Sequence, residues 1–130
     1  MKIIIIDVDA RSISSNGKHV FLTPKEYLLF ECVTESRIKK AVVVDDIIRH
    51  VWKGREVTVG RLNISQLIFR LRRKLEYIDD CADISFSMTN GVSSSYLSKC
   101  LVLKNNGLTR AISSIFIRRR YPNKEEANDR

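Results

Sequence analysis

Residues 61–78, RLNISQLIFRLRRKLEYI, constrain the fold more than any other stretch. At about 100° per residue, Ile64, Ile68, Leu71, Leu75 and Ile78 recur at helical spacing and form one apolar stripe. Asn63, Gln66, Arg70, Arg73 and Tyr77 fall on the opposite face, with Lys74 beside them; Arg61 and Arg72 lie at the border of the stripe. A helix divided this way must dock its stripe on a core supplied by the rest of the chain. Its other face offers long cationic and amide side chains. An ordinary solvated helix has the same periodicity, so the pattern alone does not choose between solvent and a partner.

Charge narrows the choice. The chain of 130 residues carries a formal net charge of +8. Between residues 53 and 77 there are seven basic and two acidic side chains, so the positive charge is concentrated on this helix and its approach. That concentration favours a polyanionic partner. Arginine forks onto guanine, asparagine and glutamine pair with adenine, and lysine reaches phosphates, so a DNA major groove suits these side chains. RNA and anionic membranes attract the same charge.

Other classes find less support. Cys32, Cys81 and Cys100 are odd in number and form no C-x-x-C pair, and His19 and His50 have no ligand spacing with them. No metal or cofactor is expected, Cys32 reads as a small core residue, and a reducing, cytoplasmic location is the simplest. Asp79, Asp80 and Asp83 lack a metal-binding loop pattern and are expected to be solvated. No glycine-rich phosphate loop, H-E-x-x-H or Ser–His–Asp set is present, so no catalytic residue is assigned and an enzyme is not expected. The N-terminal KIIII meets Asp7 and Asp9 at once and reads as a strand, not a signal peptide. No apolar run approaches the roughly 20 residues of a membrane span.

In chain order, residues 2–8 form a β-branched strand, and residues 11–14 and 18–22 add two more around the tight-turn pair Asn16-Gly17. Thr23-Pro24-Lys25-Glu26 opens a helix with a T-x-x-E capping box. Tyr27, Leu28, Phe30 and Val33, with Leu29, supply its buried face. Lys39-Lys40 lies in a loop and residues 41–44 are extended. Asp45 or Asp46 starts a second helix whose Ile47, Ile48, Val51 and Trp52 point inward, Trp52 as a core anchor. After a loop at 53–59 comes the basic helix. Residues 84–89 and 96–102 are then two strands of a hairpin turning at Asn90-Gly91, its tip lengthened by residues 92–95. Asn105-Asn106-Gly107 breaks the chain. Residues 108–117 form a weak apolar helix or strand; as a helix, Leu108, Ile112, Ile115 and Phe116 share one face. Arg118, Arg119 and Arg120 follow, and residues 122–130 are expected to be disordered.

This order, sheet, two helices, basic helix and hairpin, resembles the OmpR/PhoB-type winged-helix DNA-binding domain. Leu22-Thr23-Pro24-Lys25-Glu26-Tyr27-Leu28-Leu29 resembles the opening of its first helix, with Phe30 where another leucine is usual. Asp46-Ile47-Ile48, followed by Val51-Trp52, resembles its second. Asn63-Ile64-Ser65-Gln66-Leu67-Ile68 and Arg70-Leu71-Arg72-Arg73-Lys74-Leu75 resemble its recognition helix, in a version most similar to the ToxR/CadC-like branch. The likeness covers about residues 3–98. It implies an α+β winged helix-turn-helix with an N-terminal antiparallel sheet, three helices and a C-terminal hairpin wing, in a domain over residues 1–104, followed by a partly disordered extension over 105–130. Three departures stand out. Gly91 and Tyr96 are separated by four residues, which implies a longer wing. No receiver domain precedes the first strand. No membrane span follows the domain. A stand-alone soluble version, or a fragment of a longer chain, is expected.

The resemblance implies a sequence-specific transcription regulator partnered with double-stranded DNA. Asn63, Gln66, Arg70 and Arg73 would lie nearest the bases, with Arg61 among the DNA contacts; Lys74 would hold phosphates, Arg72 would hold a phosphate or pair with an acidic residue, and Asn90 and Ser94 would carry the wing's contacts. Phe69, on the outer face, is placed either to meet a thymine methyl or to stand as an ordinary exposed or interface aromatic. RNA polymerase or another regulator, and a second copy on DNA, are further partners of such a protein. The alternative is a non-enzymatic regulatory protein–protein adaptor on the same scaffold, with weak or no DNA binding.

Overall fold

The computed structural model describes residues 2–35 and 41–105. Strands β1 (Ile3–Asp7), β2 (Ser12–Ser15) and β3 (Lys18–Phe21) lead into helices α1 (Pro24–Glu35), α2 (Val44–Val51) and α3 (Arg61–Ile78). A short hairpin, β4 (Ser85–Ser87) and β5 (Gly91–Ser93), is followed by a one-turn helix α4 (Ser95–Ser98) and by β6 (Leu101–Asn105). β1 to β3 form an antiparallel meander, with Asn16 and Gly17 both at positive φ in the β2–β3 turn, as the sequence predicts. The expected capping box of α1 is present: the Thr23 N–H donates to Glu26 Oε1 at 2.9 Å, and the Glu26 N–H to Thr23 Oγ1 at 3.3 Å.

The core lies between the sheet's inner face and the three helices. Ile4, Ile6 and Ile13 from the sheet meet Leu29, Phe30 and Val33 of α1, Ile47 and Val51 of α2, and Ile64, Leu67, Ile68, Leu71, Leu75 and Ile78 of α3. The predicted stripe of α3 is thus buried along its whole length, with Leu67 added to it. Trp52 is half-buried and packs against this cluster from its rim, together with Leu28 and Ile48. Cys32 is likewise at the rim, where burial pushes its thiol up to about 11. α2 starts at Val44, one residue before the expected aspartates, which occupy its first turn.

The C-terminal part departs from expectation. The sequence predicts a long hairpin with a return strand over 96–102, but the chain turns earlier. Ser87 pairs with Gly91 across a three-residue loop, and β5 ends at Ser93. The polar groups of Ser94 and Asp83 then start a helix instead. Ser94 Oγ accepts the Leu97 N–H at 3.0 Å, and Asp83 Oδ1 accepts the Tyr96 N–H at 3.0 Å. This is N-capping, which competes with strand continuation. β6 leaves the hairpin altogether and joins the N-terminal sheet beside β1, in parallel, giving the order β3-β2-β1-β6. The wing is therefore compact. The expectations for Lys39 and Lys40, and for residues 106–130, lie outside the described residues.

Asp79 is the second correction. Expected to be solvated, it is 8% exposed and ties three segments together. Its carboxylate accepts from the Lys2 ammonium, from the Cys81 N–H at 2.9 Å and from the Tyr96 hydroxyl at 3.1 Å. The Lys2 hydrogen bond, helped by the Cys81 and Tyr96 donors, outweighs burial and lowers the Asp79 carboxyl to about 2. An ordinary aspartate titrates near 3.9 in the unfolded chain, so this stabilisation is complete above about pH 4 and disappears as pH falls towards 2. Asp79→Asn is expected to lower the melting temperature at neutral pH and to flatten the pH dependence of melting between about 4 and 2. Parallel melting curves for parent and variant across that window would contradict the assignment.

Gly91 holds the wing root. Its φ is +85°, and a Cβ built there would lie 2.1 Å from the Val42 carbonyl oxygen. That closeness follows from the bridge in which Val42 and Val92 exchange backbone hydrogen bonds of 2.8 and 2.9 Å. Gly17, at φ +77°, has nothing within 4 Å of such a Cβ. Gly17→Ala therefore bears conformational strain alone, about 1 kcal/mol, whereas Gly91→Ala is expected to cost clearly more in denaturant unfolding.

Candidate nucleic-acid interface

α3 spans 18 residues from Arg61 to Ile78, and Gly60, extended at φ −111° and ψ 176°, is its N-cap. The Asn63 Oδ1 accepts the Gly60 N–H at 2.8 Å. Asn63, expected at the bases, is thus also part of the helix start. Its carboxamide retains a second lone pair and two N–H donors. With the stripe buried, Arg61, Asn63, Gln66, Phe69, Arg70, Arg73 and Tyr77 are exposed along the outer face. The Arg73 guanidinium lies over the Phe69 ring, 5.7 Å from its centroid, which orients both side chains.

Two basic residues of the expected set are engaged with the protein itself. Arg72 Nη2 donates to the Ile84 carbonyl at 2.8 Å and so joins α3 to the chain entering the hairpin. Lys74 Nζ donates to Glu26 Oε1 at 2.5 Å and to the Phe21 carbonyl at 2.9 Å. Glu26 is buried to within 1% of its surface, and Arg70 Nε stands 3.6 Å from its other oxygen. Burial would raise the Glu26 carboxyl, but the hydrogen bonds from Lys74 and the Thr23 N–H, with the charges of Lys74 and Arg70, bring it below the usual glutamate range. Both Arg72 and Lys74 therefore fix the helix, where phosphate contact was expected of them.

The hairpin presents Met88, Thr89 and Asn90 at an exposed tip. Asn90 is on that tip, its N–H donating to Ser87 Oγ at 2.8 Å. Ser94 is not: it is 6% exposed and caps α4. On the other flank, β3 brings His19 and Phe21 beside Arg70, Arg73, Lys74 and Tyr77, lining a groove along α3. Lys18 Nζ lies 5.5 Å from the centroid of Tyr77. Sequence reasoning missed these β3 residues as neighbours of the basic face. The only signal was the run Val20-Phe21-Leu22 after the Asn16-Gly17 turn, which marks a strand but not what lies beside it.

A helix docked by one stripe against α1 and the shared core, with a basic outer face and a hairpin at its C-terminal side, defines the architecture. The chain has the winged-helix fold. It is similar to the DNA-binding domain of E. coli CadC, with a TM-score of 0.57 and 21% sequence identity, over 72% of this chain and 92% of that domain. Neither a protein-family model nor a curated protein matches the sequence. Among the described residues of this winged helix, no helix is long and apolar enough to cross a membrane.

The Glu26–Lys74 pair gives a prediction that differs from that for an ordinary surface lysine. Lys74→Met would leave a buried carboxylate without its main partner. Removing one member of a buried pair costs about 3–5 kcal/mol, and partial solvation of Lys74 reduces that to about 2. Urea unfolding checks this; a loss below about 0.5 kcal/mol, as for a solvated side chain, would contradict it.

Proposed function

We propose that this protein is a sequence-specific DNA-binding transcription regulator, with the outer face of α3 entering a major groove and the hairpin tip at Thr89 and Asn90 lying over the adjacent backbone or minor groove. One observation carries the proposal: Gln66, Arg70 and Arg73 project together from the exposed face of a helix whose opposite face is core. These are the donor types that recognise base edges, and they recur at spacings that keep them on one side of a helix. Arg61 and Asn63 extend the set at the N-terminal end. Lys74 and Arg72 act as positioning residues that hold α3 in place, and Ser94 supports the wing from within. The fold shared with a domain described as DNA-binding supports the same reading. It entails a cytoplasmic, bacterial-type regulator, with a second copy on DNA and RNA polymerase or another regulator as further partners.

The test is a selection of bound duplexes from random DNA, followed by titration of Arg70→Ala and Arg73→Ala against the enriched and scrambled sites. Loss of an arginine forked onto guanine is expected to cost about 1–3 kcal/mol at one base position and to relax specificity there. Arg73→Ala is expected to melt within about 0.5 kcal/mol of the parent. If no sequence is enriched, or if both folded variants bind like the parent, the groove-reading helix is wrong and a non-enzymatic protein–protein adaptor takes its place.

A further inference from the structure

Two hydrogen bonds from α3 define its flanks. Lys74 reaches the Phe21 carbonyl of β3, and Arg72 reaches the Ile84 carbonyl before the hairpin. Those two residues stand about 200° apart around a helix of 3.6 residues per turn, so β3 and the hairpin lie on opposite sides of it. Arg70 and Arg73 are exposed between them. On the β3 side, Val20, Phe21, Arg70, Arg73 and Tyr77 line an open groove, with the buried Glu26 beneath. Lys74 and Arg70 already face that carboxylate, and Lys18 extends its ammonium to 5.5 Å from the centroid of Tyr77. Lys18 and Arg73 therefore leave the groove cationic. Phe21 and Tyr77, each 58% exposed, give it apolar walls.

We propose that this groove takes one sugar–phosphate strand of the DNA, with the Lys18 ammonium and the Tyr77 hydroxyl on phosphate oxygens and the Phe21 ring against deoxyribose. The inference rests on the groove-reading role of α3 and adds a second backbone site to the one at the hairpin tip. A helix with its side chains is about 10–12 Å across and a major groove is about 12 Å wide, so a helix seated there has a backbone strand close on each side. The hairpin meets one of them, and β3 is the element on the other side. The chemistry fits a backbone strand: ammonium and hydroxyl donors suit phosphates, and ring faces suit the uncharged sugars. β3 is also an edge of its sheet, so no further strand stands beyond it. An acidic protein segment is the competing occupant. The groove shares Arg70 and Arg73 with the base-reading face, and that continuity selects the DNA strand.

The experiment titrates the full chain against an enriched duplex and a scrambled one at several salt concentrations. Lys18→Ala is expected to weaken binding to both by a similar factor, to lower the slope of log affinity against log salt by about one, and to leave base preferences unchanged. Lys18→Arg is expected to keep the parental slope. Lys104→Ala removes the same charge at the opposite edge of the sheet, where Lys104 pairs with Glu35, and is expected to keep that slope too. A parental slope in Lys18→Ala overturns the proposal and leaves the groove to another occupant, such as an acidic segment. So does an equal loss in Lys18→Ala and Lys104→Ala, which is an effect of net charge alone. Arg73→Ala separates this failure from that of the helix. If it relaxes specificity while Lys18→Ala binds like the parent, the β3 flank is wrong and the groove-reading helix stands. If no duplex is enriched, both fall.

Discussion

The buried carboxylate of Glu26 is the interaction on which the rest of the arrangement depends. It accepts the Thr23 N–H at the start of α1 and the ammonium of Lys74 from the middle of α3. Lys74 in turn holds the Phe21 carbonyl at the end of β3. One carboxylate thus registers a strand, the helix that follows it and the basic helix. Apolar packing alone allows a helix to slide or rotate by part of a turn. A short ion pair whose carboxylate is buried and whose ammonium also donates to the Phe21 carbonyl resists both.

With α3 held this way, its two sides are separate. The stripe from Ile64 to Ile78 is core, and Gln66, Phe69, Arg70, Arg73 and Tyr77 face out. Arg72 extends the same logic to the hairpin, since its bond to the Ile84 carbonyl fixes where β4 begins relative to the helix. The Val42–Val92 bridge fixes the other side of the wing root. The exposed face and the hairpin tip are thereby presented by rigid elements, the condition for reading a groove at base resolution.

What was legible in the sequence was what local chemistry decides. The Thr23–Glu26 box and the Asn16-Gly17 turn lie within a few residues, the stripe of α3 repeats every three or four, and each appears where the spacing puts it. The features that were not legible depend on partners far along the chain. Lys74 looks like a surface lysine until Glu26, 48 residues away, is folded beside it. Asp79 looks solvated until Lys2 and Tyr96 arrive. Residues 96–102 have strand-like composition, yet a cap at Ser94 and the free edge of β1 divide them between a helix and a different sheet. His19 and Phe21 become neighbours of the basic face only because β3 lies along α3.

As a groove-reading helix, α3 would present one face to DNA while its other face remains core. Amide and side-chain chemical shifts of the full chain, followed as a duplex carrying an enriched site is added, test it most directly. Changes are predicted along Arg61, Gln66, Phe69, Arg70, Arg73 and Tyr77 and at Thr89 and Asn90, with Ile64, Leu71 and Leu75 and the sheet's outer face unaffected. Changes centred on the sheet's outer face, with the outer face of α3 unmoved, would contradict the claim.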